Sequence, residues 1–127
     1  IYKGLFLAES LSDFYPDLTD KRFESRVAIF HQRYSTNTFP QWWLAQPFRC
    51  LAHNGEVNTI RGNKNWMKSH EIKMASLAFG EHSEDIKPVI PAGASDTAAL
   101  DAVFETLCRA GRDAPTAKLI LVPEAWA

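Results

Sequence analysis

A mixed α and β domain is the fold class that these 127 residues predict, on three observations. Two short apolar runs, residues 27–30 and 48–52, have the length and composition of buried strands, and each gives way abruptly to a polar cluster. Two longer segments, 58–79 and 95–111, space apolar residues as a helix does, between a capping side chain and a glycine. The polar clusters, His31-Gln32-Arg33 and His53-Asn54-Gly55, then fall where strand ends deliver functional groups to the rim of a sheet.

Taken in order, residues 1–8 are apolar and predict a short strand. Leu11, Phe14 and Tyr15 recur at i, i+3, i+4, which predicts a brief helix stopped before Pro16. Residues 17–25 are polar and read as a loop anchored by Phe23. The strand at 27–30 leads into an irregular loop over 36–47, with two prolines and the Trp42-Trp43 pair. The strand at 48–52 ends in a turn at Asn54-Gly55. Asn58 or Thr59 can cap a helix carrying Ile60, Trp66, Met67, His70 and Met74, with Gly80 as its stop. After a polar connection over 81–94, Ser95 caps a helix whose inner face is Ala99, Val103, Phe104 and Leu107, and Gly111 closes it. Pro115 suits the first turn of a last helix ending near Pro123, with a strand over residues 119–122 as the alternative.

The totals exclude several classes of function. Fourteen Lys and Arg against fifteen Asp and Glu leave a net charge of −1, so no electrostatic feature points to nucleic acid or an anionic membrane. No apolar run approaches the ~20 residues of a membrane span. Two cysteines, Cys50 and Cys108, make neither a disulfide framework nor a CxxC metal site, and their use fits a reducing, cytoplasmic setting. The chain opens and closes beside apolar runs, at Ile1 and at Trp126-Ala127, as expected of a piece of a larger protein.

A site for a free amino acid bearing a side-chain amide needs three things: a guanidinium fork for the carboxylate, a carboxylate for the ammonium, and fixed N–H donors over the amide carbonyl. The chain offers Arg33, Asp96 and the Asn54-Gly55 pair. Each has a plainer alternative. Arg33 can be a surface ion-pair residue, Asn54-Gly55 a hairpin turn, and Asp96 a partner for its helix dipole. A cysteine hydrolase is the rival chemistry, but positions 50 and 53 of a strand face opposite ways, so Cys50 and His53 make no dyad there. Four scattered histidines give no zinc-ligand spacing.

The strings Phe30-His31-Gln32-Arg33-Tyr34-Ser35-Thr36-Asn37-Thr38 and His53-Asn54-Gly55-Glu56-Val57-Asn58-Thr59 closely resemble the glutamine amidotransferase domain of glutamate synthase large subunits. Phe14-Tyr15-Pro16-Asp17-Leu18, Gly62-Asn63-Lys64-Asn65-Trp66-Met67, Ser95-Asp96-Thr97-Ala98-Ala99-Leu100-Asp101 and Pro123-Glu124-Ala125-Trp126 extend the likeness over almost the whole chain. It implies that residues 1–127 are part of one class II amidotransferase domain, with the αββα sandwich of an N-terminal-nucleophile hydrolase. By that resemblance Arg33 holds the α-carboxylate of L-glutamine with help from Thr36, Asp96 receives the α-ammonium, and the Asn54 amide with the Gly55 N–H forms the oxyanion hole.

The resemblance also implies a nucleophile at a mature N-terminal cysteine, whose α-amino group acts as base. Cys50 and Cys108 are internal, so this segment alone is expected to be inactive toward glutamine. The parent would pass ammonia to 2-oxoglutarate and reduce the product with FMN and an iron–sulfur cluster held in other domains. The partners so implied are L-glutamine, the remainder of the parent chain and a small electron-donating subunit. The alternatives are a non-catalytic packing or interaction module, or another class II amidotransferase.

Overall fold

The structure, a computed structural model, describes residues 1–32 and 38–124. The chain divides into two compact units, Ile1–Asn54 and Gly55–Ala127.

In the first unit, a turn of 3-10 helix at Ala8–Ser10 runs into α1, Leu11–Phe14, and a second such turn follows at Pro16–Thr19. The expected helix before Pro16 is therefore present but only one turn long. It is held by a cluster of rings rather than by length. Phe6 stacks on Phe14 with centroids 4.8 Å apart, and Tyr15 meets Tyr2 edge-on at 4.9 Å. Phe23 joins Tyr2 at 6.1 Å, anchoring the polar loop as its isolated apolar character implies. The Tyr15 hydroxyl donates to the Lys3 carbonyl, and the Lys3 ammonium reaches the Trp43 carbonyl at 3.3 Å while lying 4.5 Å over the Phe48 ring. Trp42–Leu44 form a further 3-10 turn in the loop that the prolines mark.

Residues 1–8, 27–30 and 48–52, expected as strands, are not strands in this structure, and no strand occurs among the described residues. The αββα sandwich is thus not shown among the described residues, where the α+β expectation is met in its helices. The physical reason is that a strand's backbone groups must be satisfied by a second strand. Here they turn to local partners. The Phe48 N–H donates to the Leu51 carbonyl at 2.9 Å, and the Ser25 hydroxyl bonds the Val27 carbonyl at 2.7 Å. Val27, Ile29 and Phe30 are left 72%, 67% and 79% exposed.

The second unit holds the regular helices. Helix α2, Arg61–Glu71, starts two or three residues after its proposed caps and ends well before Phe79. At its end the helical ladder tightens to three-residue bonds, Lys73 N–H to His70 O at 3.1 Å and Met74 N–H to Glu71 O at 3.3 Å. Gly80, at φ +52°, begins a separate 3-10 turn, Gly80–Ser83.

Helix α3, Asp96–Arg109, agrees with expectation at both ends. The Ser95 hydroxyl accepts the Ala98 N–H at 3.1 Å. At the other end Gly111, at φ +103°, lets the Arg112 N–H reach Leu107 O at 3.0 Å and its own N–H reach Cys108 O at 3.1 Å. This pair of bonds is the Schellman closure that glycine permits. Helix α4, Ala114–Leu121, has Pro115 in its first turn and Asp113 as cap, accepting the Thr116 N–H at 2.7 Å. That backbone bond holds the Asp113 carboxyl below the usual carboxylate range. Helix α4 packs on α3 with Ala117 fully buried.

Candidate functional site

The most enclosed run of the second unit is the entry to α3: Ala94, Ser95, Asp96, Thr97 and Ala99 are all buried. Asp96, 7% exposed, occupies the first position of the helix, where the unpaired N–H groups and the dipole favour an anion. Its Oδ1 accepts the Thr97 N–H at 2.6 Å and lies 3.3 Å from the Thr97 hydroxyl. None of the ion pairs among the described residues involves Asp96. A buried carboxylate, held through one oxygen and compensated by a helix N-terminus, retains the capacity to accept from a cation.

The approach to α3 is clamped by α2. Lys64 donates from Nζ to the Ala94 carbonyl at 2.9 Å, and Glu71 accepts the Val89 N–H at 2.7 Å. Ile60, Lys64, Met67 and Glu71 are the half-buried positions along this stretch, whereas Trp66 and His70, also expected on this helix, are exposed. The sequence signal available for this face is the 60, 64, 67, 71 spacing. It is hidden because two of its four members are charged and by default read as solvent-facing.

Asn54 and Gly55 sit at a bend and are both exposed. Neither has a positive φ, so the type I′ hairpin turn that Asn-Gly favours is not formed. The turn expectation survives as a bend alone. The preceding residue is held in place: the His53 N–H donates to Gln46 Oε1 at 2.9 Å. Asn54 closes the first unit and Gly55 opens the second, adjacent through one peptide bond. Asp96 lies in the second unit, and the two proposed anchors Arg33 and Thr36 lie outside the described residues. Of the five predicted site residues, Asn54 and Gly55 are sequence neighbours at the boundary of the two units, and Asp96 is buried at the start of α3.

Among the described residues no group of three or more His, Cys, Asp or Glu side chains is arranged to hold a metal ion. Cys50 is exposed and Cys108 half-buried, and the two form no disulfide with each other. No described helix is long and apolar enough to cross a membrane.

All 127 residues match the glutamine amidotransferases class-II family. The chain belongs to that family. Among curated relatives of this class-II amidotransferase, the glutamate synthase [NADPH] large chain of Azospirillum brasilense is 66% identical over 125 residues, covering 98% of this chain and 8% of the relative. The glutamate synthase [NADH] of Saccharomyces cerevisiae is 50% identical over 127 residues, 99% of this chain and 6% of the relative. The chloroplastic ferredoxin-dependent glutamate synthase of Spinacia oleracea is 51% identical over 126 residues, 99% of this chain and 8% of the relative. The chain therefore spans less than a tenth of the length of these proteins.

Proposed function

We propose that these residues form the glutamine-binding and oxyanion-stabilising portion of the glutaminase site of a glutamate synthase. The observation that carries the reading is the class-II amidotransferase match across residues 1–127, joined to a buried carboxylate at Asp96 and an exposed bend at Asn54-Gly55. The Arg33 guanidinium takes the α-carboxylate of L-glutamine in a two-point fork, with the Thr36 hydroxyl assisting. The Asp96 carboxylate takes the α-ammonium. The side-chain amide of the substrate then lies under the Asn54 Nδ2 and the Gly55 N–H.

An N-terminal cysteine elsewhere in the parent attacks the amide carbon, its α-amino group accepting the thiol proton. Negative charge grows on the carbonyl oxygen, and the two donors stabilise it there without reorganising. Collapse of this intermediate expels ammonia, taking up a proton, and leaves a thioester. Water hydrolyses the thioester to L-glutamate and restores the thiol. The ammonia passes to 2-oxoglutarate, and FMN with an iron–sulfur cluster in other domains supplies the electrons that complete glutamate synthesis. The relatives are named for NADPH, NADH and ferredoxin alike, so the similarity selects no one donor. A small electron-donating subunit and a cytoplasmic, reducing location belong to the same proposal.

The αββα sandwich is part of it too. Val27 and Ile29 would share one face of a strand and Phe30 the other, apolar area suited to a buried strand, each gaining about 1.5–3 kcal/mol when covered. Pairing with strands of the parent would satisfy their backbone and bury that face, carrying Arg33 to a strand end.

Asp96→Asn in the full-length enzyme tests the reading. The substitution keeps shape and removes charge. The KM for L-glutamine is expected to rise roughly 10- to 100-fold, as for loss of one charged hydrogen bond, with kcat changing far less. An unchanged KM would leave the packing-module reading in its place.

A further inference from the structure

We infer that Lys64 is a positioning residue for the ammonium end of the glutamine site, acting through the backbone that delivers Asp96; the inference rests on the role proposed above for Asp96. Four observations carry it. Helix α2 is the first regular element after the Asn54-Gly55 bend, and its inner face uses two charged side chains in place of apolar ones. Those two side chains, Lys64 and Glu71, grip the segment entering α3 at Ala94 and at Val89. The grip at Ala94 is a charge-assisted bond of 2.9 Å to a buried carbonyl, two residues before Asp96. Gly93, at φ +76°, lies next to that carbonyl and gives the backbone there a freedom that the lysine removes.

A carboxylate meant to receive a small cation must stay within a few tenths of an ångström of its place, and looseness one shell away costs binding. Lys64 is half-buried, and none of the ion pairs among the described residues employs it. Its charge is directed at the main chain. The expected consequence of its removal is selective: contacts to the α-ammonium weaken, while contacts to the carboxylate and the amide do not.

The test uses the full-length enzyme with Lys64→Met, Lys64→Arg and Asp96→Asn side by side. Two quantities are read: the KM and kcat for L-glutamine hydrolysis, and the inhibition constant of 4-carbamoylbutanoate, which is glutamine without its α-ammonium. Ammonia-dependent glutamate synthesis reports that each variant is folded. The expected result for Lys64→Met is a KM raised about tenfold, a kcat within about twofold, and an unchanged inhibition constant, with Lys64→Arg close to the parent. A glutamine KM that stays put while Asp96→Asn raises it would overturn the inference alone. Equal weakening of glutamine and of 4-carbamoylbutanoate would also overturn it, since that marks a general structural role. If Asp96→Asn itself leaves the KM unaltered, the ammonium assignment fails and this inference with it.

Discussion

Asn54→Ala in the full-length enzyme is expected to lower glutamine-dependent turnover by roughly 10²–10³-fold, with little change in KM and with ammonia-dependent synthesis retained. The size follows from the role. A donor aimed at an oxygen that is neutral in the substrate and charged in the transition state contributes mainly to the latter, so its loss appears in kcat. Under the proposed role, the Gly55 N–H, a backbone group that no side-chain substitution removes, would supply the activity that remains. The bend at 54–55 is exposed, and the Gln46 bond to His53 N–H holds the chain just upstream. Steady-state kinetics with glutamine and with ammonium as alternative nitrogen donors distinguish this outcome. A tenfold rise in KM with normal turnover would assign Asn54 to ground-state binding instead.

Arg33→Ala should act on the other side of that division. Loss of the guanidinium removes both hydrogen bonds and the charge partner of the substrate carboxylate, so kcat/KM for glutamine is expected to fall on the order of 10²-fold, chiefly through KM. Arg33→Lys keeps the charge but not the fork, and should recover only part of the loss. Ammonia-dependent synthesis should again be spared. An Arg33→Ala enzyme with wild-type glutamine kinetics would return this residue to the surface ion-pair role that any arginine can fill.

The helices were legible because their signals are local. Ser95, Gly111 and Pro115 act within one turn of the backbone they organise, and α3 begins and ends, and α4 begins, where those residues require. The extent of α2 was less so: Met74 and Phe79 continue the apolar pattern past the point where the Val89 N–H comes to the Glu71 carboxylate. Strands were the hardest, since whether 27–30 and 48–52 pair depends on partners distant in sequence, and local bonds from Ser25 and Leu51 fill the gap.

The site divides in the same way. Asp96 was legible as an acid at a helix start, and the structure adds its burial and its bonds to Thr97. Asn54-Gly55 carried two meanings, hairpin turn and donor pair, and the observed backbone angles remove the type I′ hairpin. Lys64 and Glu71 were not legible, because a charged side chain on a helix gives no sign in sequence that its target is a main-chain group.

The proposed glutamine-binding role of these residues is tested most directly by a crystal structure of the full-length enzyme with L-glutamate, the hydrolysis product, bound. The account predicts the ligand's α-carboxylate on the Arg33 guanidinium, its ammonium on the Asp96 carboxylate, and its side-chain carboxylate within hydrogen-bond reach of both Asn54 Nδ2 and the Gly55 N–H. A ligand held by other residues, with Arg33, Asp96 and Asn54 on separate surfaces, would contradict it.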